Sequence, residues 1–340
     1  MSRSEPGFGW QPACGHEALF ARAAALKQIR SFFDERGVTE VETPLLCQTA
    51  GTDPNLHPFT SNFLQPGQTE GSVLYLQTSP EFAMKRLLAS GSGSIYQICK
   101  AFRNEECGRH HNPEFTLLEW YRTGFGIDEL MDEIEALLAA LFHGKRNLAL
   151  AKRVSYRQLF EELAGTDPLR ASFREFAECA RRHHLGEASA ICGEDRNTWL
   201  DFLFSHIIQP QLGQGRAHFV YDYPACLPSL ARKKPGDESV VERVEIFLDG
   251  LELGNGYHEL ADATEQESRF DADLAVRQQR GLLMPPKDRR LLGALAHGLP
   301  DCSGVAIGLD RLLMLMTGSD DIAHVLAFPV SKYSDFIFKT

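Results

Sequence analysis

The chain has 340 residues, a formal net charge of −11 and a sequence pI of about 5.6. A chain of this length can bury a large core in one large domain or two. Its 43% hydrophobic and 24% charged residues are typical of a folded globular protein. The acidic balance argues against a general nucleic-acid binder, although a local basic groove stays possible.

The first residues contain no apolar signal-peptide segment, and no apolar run is long enough to span a bilayer. Eight cysteines are scattered along the chain without a CxxC pair, so neither a zinc site nor a redox motif is indicated. The sequence therefore predicts a cytoplasmic protein with free thiols and no membrane partner.

Residues 1–17 are interpreted as a flexible N-terminal tail. From Ala18 to Arg36, apolar residues recur at helical spacing, and Gly37 is placed to end the helix. A β-branched strand, VTEVETP, follows and stops at Pro44. Residues 51–71 are rich in turn formers and predict a loop. VLYLQTSPE predicts a strand that leads into a helix, which Ser79 and Pro80 would open.

Residues 102–121, FRNEECGRHHNPEFTLLEWY, predict a strand, a charged loop and a second strand. Asp128 to Phe142 predicts a helix with Asp128 as its N-cap. Residues 143–215 predict a helical insertion that shapes or covers the site, and residues 232–240 an exposed loop. HFVYDYP, VERVEIFL and LELGNGYHEL predict strands, and residues 268–281 and 288–298 predict helices. Residues 304–318 predict a glycine-rich strand that enters an apolar helix.

Glu119 and Tyr121 are two residues apart on a predicted strand, so both side chains face the same side as Phe115 and Leu117. A carboxylate beside a phenol on an apolar strip suits an ammonium group. The residues alone are equally compatible with a surface glutamate and an interface tyrosine.

Asp249-Gly250 is a strong signal for a two-residue hairpin, which would place Phe247 opposite Glu252. Glu245 and Glu252 then become diagonal neighbours on one face. Two such carboxylates suit Mg²⁺ shared with substrate phosphates. The alternative is two solvated glutamates on an exposed sheet face.

Gly254 and Gly256 follow directly and predict a bulge or a close backbone approach to a ligand. Strict alternation would place Glu259 on the face opposite Glu252. Glu259 reaches the same site only if the glycines bulge the strand.

In GVAIGLDRLLMLM, Gly308 allows close approach of a ligand and Arg311 lies in the first helical turn. The helix dipole already makes that position positive, so an arginine there calls for a strong anion such as a triphosphate. An arginine on a surface turn is the alternative. His110-His111 has no metal-ligand spacing and is interpreted as a pair of ordinary polar residues.

Together these residues provide arginines for phosphates, carboxylates for Mg²⁺, and an acidic pocket with a tyrosine for an amine. That combination suits the adenylation of an amino acid, in which orientation and charge stabilisation carry the catalysis.

These segments resemble the catalytic core of class II aminoacyl-tRNA synthetases of the lysyl type. The helix, strand and Pro44 resemble motif 1, residues 102–121 resemble motif 2, GVAIGLDRLLML resembles motif 3, and ELGNGYHEL resembles the lysyl-type signature. The resemblance implies an α+β fold with a six-stranded antiparallel sheet flanked by helices. The catalytic domain would span residues 18–332, form a homodimer through motif 1, and leave 333–340 as a C-terminal tail.

The resemblance also implies roles for individual residues. The residues expected to contact ATP are Arg103, Asn104, Glu105, Asn112, Glu252, Leu253, Gly308 and Arg311, with Arg103 and Arg311 catalytic. Glu245 and Glu252 would bind Mg²⁺. The residues expected around the amino acid are Ser79, Pro80, Glu81, Tyr121, Glu259 and Ala306, with Glu259 on the distal amine.

Motif 1 begins too early for an N-terminal OB-fold anticodon domain, ECGRHH replaces the usual motif 2 loop, and Ala306 stands where the synthetases usually have glycine. These features resemble the elongation factor P–(R)-β-lysine ligase family, whose members use ATP to attach (R)-β-lysine to a lysine ε-amine of elongation factor P. tRNA is then an improbable partner. One alternative is a truncated synthetase that activates L-α-lysine, against which Ala306 and the missing anticodon domain argue. The other is a non-catalytic regulatory paralogue, against which the complete set of phosphate and metal residues argues.

Overall fold

The computed structural model describes residues 10–227 and 229–331. Residues 1–9 of the predicted N-terminal tail and the whole predicted C-terminal tail, 333–340, lie outside the described residues. The first helix, predicted from residue 18, begins at His16.

Helices and strands alternate irregularly along the described residues. The helices α1 to α10 are His16–Asp34, Glu81–Ala89, Ile127–Phe142, Tyr156–Leu159, Phe173–Arg182, Ala188–Cys192, Arg196–Leu203, Ala263–Gln279, Arg289–Gly298 and Leu309–Thr317. The strands β1 to β12 are Thr39–Glu40, Leu46–Cys47, Thr60–Phe63, Ser72–Leu76, Ile95–Phe102, Glu114–Thr123, Ala149–Ser155, Arg216–Pro224, Lys233–Lys234, Asp237–Leu248, Leu251–His258 and Cys302–Gly308.

The main sheet has the order β1-β5-β6-β12-β11-β10-β8-β7, with β9 paired to β10. Its six central strands, β5 to β8 in this order, are all antiparallel to their neighbours. The short strand β1 and the strand β7 add parallel edges and β9 pairs with β10, so the described sheet has nine strands rather than the six expected. The predicted α+β class with a central antiparallel sheet is confirmed.

Alternation gives this sheet two different faces. One face carries Leu118, Trp120, Val305 and Ile307, which pack with apolar side chains of α1, α3 and α10 in the largest buried cluster. The opposite face carries the charged and polar residues described below. The helices on the first face thus provide a rigid support for side chains on the second.

Several local predictions need correction. The N-cap of α3 is Gly126 and not Asp128, because the Glu129 carboxylate accepts from the Gly126 backbone N–H at 3.0 Å and so starts the helix earlier. The predicted loop 51–71 contains β3, and VLYLQTSPE contributes β4 to a separate sheet of order β2-β4-β3. The predicted loop 232–240 contains β9, and the helix predicted from residue 268 begins at Ala263.

The segment 143–215 consists of β7 and four helices, α4 to α7, with short π-helical turns at 160–164 and 204–208. Its buried residues form their own cluster, in which Tyr156 stacks on Phe160 and Phe204 with ring centroids 4.8 and 5.3 Å apart. Phe247 of β10 and Tyr223 of β8 belong to the same cluster. The segment therefore packs against the strands that carry Glu245.

Candidate active site

The two central strands β6 and β12 position the first predicted pair of site residues. The Tyr121 hydroxyl donates to Glu119 Oε1 at 2.7 Å, as expected for side chains that share a face. Glu119 lies opposite Ala306, and Tyr121 lies opposite Gly304. The predicted common face of Glu119 and Tyr121 is confirmed, and both residues are buried.

The hairpin between β10 and β11 forms at Asp249-Gly250, whose φ angles of 52° and 75° fit a tight two-residue turn. Phe247 pairs with Glu252, as predicted. Ile246 then pairs with Gly254, so a register shift occurs at Leu253. A residue in excess on one strand reverses the alternation of side chains beyond it.

This shift decides where Glu259 lies. Beyond the shift, Asn255 lies opposite Glu245, and paired residues share a face. Asn255 therefore faces the same side as Glu252, although the two are three residues apart. Side chains alternate beyond Asn255, so Glu259, four residues further on, faces that side as well. The bulge that Glu259 needs in order to reach the site is therefore present.

The register shift next to Gly254 confirms the predicted bulge. A Cβ atom at Gly254 would lie 2.3 Å from the Ala306 backbone oxygen, and one at Gly256 would lie 3.2 Å from Leu130 Cδ2. Both glycines therefore also permit close packing inside the protein, and Gly254 lines the cavity described next.

A cavity lies on the site face where β6, β11 and β12 meet the motif 2 loop. Its lining residues are Arg103, Glu106, His110, His111, Asn112, Phe115, Leu117, Glu252, Leu253, Gly254, Asn255, Ala306, Gly308, Asp310, Arg311 and Ile322. Of the residues predicted to contact ATP, six line this cavity. Asn104 and Glu105 do not, and Ala306, predicted beside the amino acid, does.

Arg103 presents a guanidinium with few competing partners to this cavity. It lies over the Phe115 ring at 5.0 Å from the centroid and 3.7 Å from the Glu106 carboxylate. Its Nε atom is buried and has no hydrogen-bond partner among the described residues. A buried donor without a partner is rare, and an anionic ligand would satisfy it.

Arg311 is held more firmly. Its guanidinium donates to the backbone oxygen of Glu252 at 2.8 Å and to His111 Nε2 at 2.6 Å. His111 accepts only when that nitrogen is unprotonated, and burial followed by the charge of Arg311 lowers the pKa of His111. His111, interpreted from the sequence as an ordinary polar residue without metal-ligand spacing, thus lies in hydrogen-bond contact with Arg311.

The remaining motif 2 residues stabilise the loop. The Asn112 amide donates to the Glu114 backbone oxygen at 2.6 Å and accepts from the Val330 N–H at 2.9 Å. Asn104 accepts from the Glu105 N–H at 3.0 Å, and Glu105 has a positive φ of 68°. These contacts hold the turn of the loop beside the cavity.

Glu245 is buried beside Arg243, to which it is ion-paired, and Asn255 Nδ2 donates to its Oε1 at 3.3 Å. Burial raises the pKa of Glu245 to about 7, and Arg243 opposes that rise. Glu252 faces the same side and lines the cavity. Glu245 itself does not line the cavity, and no group of three or more His, Cys, Asp or Glu side chains among residues 10–227 and 229–331 could hold a metal ion. The two carboxylates fit Mg²⁺ only as part of a set in which substrate phosphates supply the other oxygens, which is how this ion is commonly bound.

The acidic end of the site lies around Glu119 and the start of α2. The Ser79 hydroxyl donates to Glu119 Oε2 at 2.8 Å and accepts from the Glu81 N–H at 3.0 Å. Pro80 precedes α2 and its backbone oxygen accepts from Ala83 and Met84. Burial raises the pKa of Glu119 to about 7.

Lys85 is the residue of this end that sequence reasoning missed. Its Nζ atom lies 2.5 Å from Glu81 Oε1 and 2.6 Å from Glu259 Oε2, and its side chain is 2% exposed. Burial raises the pKa of Glu259 to about 8, while Lys85 opposes that rise. The four-residue spacing of Glu81 and Lys85 on α2 was the signal that could have revealed the pair.

Gly304 was also missed. A Cβ atom at this position would lie 2.3 Å from Tyr121 Cε1 and 2.7 Å from Glu259 Oε1. The absence of a side chain at Gly304 therefore lets the phenol and the carboxylate lie next to each other. The three groups close the amine end of the site.

An antiparallel sheet with arginines over a cavity at one end and buried carboxylates at the other defines a class II synthetase catalytic domain. Residues 14–332 match the family described as tRNA synthetases class II (D, K and N), and the chain belongs to it.

Within that family the chain groups with the elongation factor P–(R)-β-lysine ligases. It is 48% identical over 323 residues to the protein of that name from Yersinia enterocolitica. The aligned region covers 95% of this chain and 98% of the relative. The chain is 47% identical over the same coverage to those from Salmonella paratyphi B and Salmonella schwarzengrund. No helix formed by residues 10–227 or 229–331 is long and apolar enough to cross a membrane.

Proposed function

We propose that this chain is an ATP-dependent ligase that adenylates (R)-β-lysine and transfers it to the ε-amine of a specific lysine of elongation factor P. One observation carries the proposal: a single sheet face carries both an arginine-lined cavity and a cluster of buried carboxylates. The relatives named for this activity, at 47–48% identity, support the same substrates.

In the first step, a carboxylate oxygen of the amino acid attacks the α-phosphorus of ATP and pyrophosphate leaves. Arg103 and Arg311 bind the phosphate oxygens and offset the negative charge that grows there. Glu245 and Glu252 would hold Mg²⁺, which would supply further charge neutralisation at the phosphates. Asn104, Glu105, Asn112, Leu253 and Gly308 complete the nucleotide site.

The amino acid lies between this cavity and the acidic end. Glu259 and Tyr121 face the distal amine, Ser79, Pro80 and Glu81 face the second amine, and Ala306 lies between the two ends. Fixed carboxylates around two ammonium groups orient the substrate so that its own carboxylate meets the α-phosphate.

In the second step, the ε-amine of the acceptor lysine attacks the carbonyl carbon of the mixed anhydride. An amide bond forms, AMP leaves, and the amine loses a proton. No side-chain nucleophile of the enzyme is needed in either step. The proposal includes a cytoplasmic location, a minor role at most for tRNA, and residues 18–332 as one catalytic domain with the insertion 143–215.

A homodimer through motif 1 is part of the proposal. The side chain of Phe20 on α1 is 72% exposed, and that of Leu46 on β2 is 43% exposed. A dimer interface formed by motif 1 would cover both side chains.

The test combines ATP–pyrophosphate exchange with mass spectrometry. Exchange is measured with (R)-β-lysine and with L-α-lysine, and elongation factor P is weighed after incubation with enzyme and ATP. We expect preferred exchange with (R)-β-lysine and a mass gain of one lysyl group on the factor. Preference for L-α-lysine without modification of the factor would favour the truncated-synthetase alternative.

A further inference from the structure

The amine end of the site contains a positive charge of its own. Lys85 projects from α2 into the acidic pocket and is 1% exposed, among the largest fully buried side chains of the described residues. Burial alone would lower the pKa of Lys85, but Glu259 and Glu81 outweigh that effect and hold it above its usual range. The pocket therefore holds a permanent ammonium group.

We infer that Lys85 is a positioning residue that joins Glu81 to Glu259 and thereby sets the arrangement in which these carboxylates receive the two amino groups of the substrate. This inference rests on the proposed function, because it assigns the two carboxylates to a diamino acid. It concerns how the pocket is organised before the substrate enters.

The use of each carboxylate oxygen supports this assignment. Both oxygens of Glu119 already accept from neutral donors, since Tyr121 donates to its Oε1 and Ser79 to its Oε2. Glu81 and Glu259 each give one oxygen to Lys85. One oxygen of each remains for a ligand, and Glu259 Oε1 lies over Gly304, where no side chain intervenes.

Charge gives a second argument. Glu119 and Glu259 are buried close to each other and to Glu81, and burial together with repulsion from these neighbours raises the pKa of both. Lys85 offsets part of the repulsion, so the pocket retains negative charge without a bound substrate. A substrate with two ammonium groups then complements the charge that remains, whereas an amino acid with one would leave part of it unpaired.

The test compares Lys85→Ala with the unmodified enzyme in ATP–pyrophosphate exchange. We expect the KM for (R)-β-lysine to rise at least about ten-fold, while the KM for ATP and kcat stay within about three-fold. The missing part of the side chain corresponds to n-propylammonium. Added n-propylammonium chloride should lower the KM again, whereas n-propanol, which has the same shape without charge, should not.

Lys100→Ala is the matched control, because Lys100 is an exposed lysine of the neighbouring strand β5 that lies 3.5 Å from Glu114. If Lys85→Ala does not fold, Lys85→Met replaces it, since methionine fills similar space without charge, and the same rise in KM is expected. A purely structural ion pair would lower the unfolding temperature and leave the KM unchanged.

An unchanged KM in a folded variant, or equal rescue by n-propanol, would overturn the inference. Failure of the unmodified enzyme to catalyse exchange with any diamino acid would instead overturn the proposed function, so the two failures are distinguishable.

Discussion

Arg103 and Arg311, at the nucleotide end, and Glu119 and Glu259, at the amine end, lie over the same sheet in different surroundings. The arginines line an open cavity, and neither forms an ion pair closer than 3.7 Å with a carboxylate of the described residues. The two glutamates are at most 4% exposed, and burial raises the pKa of each. The positive charges of the arginines are thus accessible to a ligand, whereas the negative charges of the glutamates are disfavoured by burial.

This difference in burial predicts that the two ends respond differently to substitution and to pH. Arginine side chains are always charged at physiological pH, so removing those at the open cavity should mainly destabilise the transition state. Buried carboxylates lose charge when they bind protons, so substrate binding there should depend on pH. The following changes test this contrast, from the largest expected effect to the smallest.

Arg311→Ala should cause the largest loss. It removes a guanidinium that lies at the cavity and is hydrogen-bonded to His111 and to the Glu252 backbone oxygen. We expect kcat/KM for pyrophosphate exchange to fall about 10²- to 10³-fold, as when a positioned donor to developing charge is removed. Arg311→Lys keeps the positive charge but lacks the planar, two-pronged donor group of the guanidinium, so it should recover only part of the rate. Unchanged exchange in a folded Arg311→Ala variant would remove Arg311 from catalysis.

Glu259→Gln should affect the amine end alone. The amide keeps the shape and loses the charge, so the KM for the amino acid should rise about 100-fold, within the range for one lost member of a buried charge pair. The KM for ATP should stay within about two-fold. Steady-state exchange with each substrate varied in turn separates the two effects, and equal changes in both KM values would contradict the division of the site.

Arg22→Leu should weaken the nucleotide end from a distance. Arg22 of α1 is ion-paired with Asp310, whose Oδ2 accepts from the Thr116 N–H of β6 at 2.7 Å. Asp310 precedes Arg311, so this contact joins motifs 1, 2 and 3. Loss of one charged hydrogen bond of about 1.5 kcal/mol should raise the KM for ATP about ten-fold. A rise limited to the KM for the amino acid would show that Asp310 does not position Arg311.

The pH dependence should separate the two ends directly. The pKa of Glu259 is raised to about 8 and that of Glu119 to about 7, and only the ionised forms attract ammonium groups. As pH falls from above 8 to below 7, both carboxylates bind protons and the KM for the amino acid should rise about three- to ten-fold. The KM for ATP should change less over the same range. An amino-acid KM that is independent of pH would contradict charged carboxylates at the amine end.

Arg109→Ala should have the smallest effect. Arg109 is exposed and pairs with Asp320 at 2.5 Å, and exposed pairs contribute little to stability. We expect pyrophosphate exchange within about two-fold of the unmodified enzyme. Transfer to elongation factor P should fall further if the motif 2 loop meets the acceptor, and mass spectrometry of the factor measures that step.

The sequence by itself determined the strands, the hairpin and the types of site residue. Period-two alternation placed Glu119 beside Tyr121, and Asp249-Gly250 fixed the pairing of Phe247 with Glu252, because both are local properties of the chain. The resemblance of the motifs to the class II synthetases, and not a local pattern, supplied the α+β class and its central antiparallel strands.

The tertiary structure alone decided which distant groups meet. The register shift at Leu253 depends on how β11 fits between β10 and β12, and it brings Glu259 to the face of Glu252. Lys85 became part of the amine pocket only because α2 packs beside the end of β11, and His111 reached Arg311 only through the folded loop. Contacts between residues far apart in sequence depend on packing across the whole sheet, which no local pattern specifies.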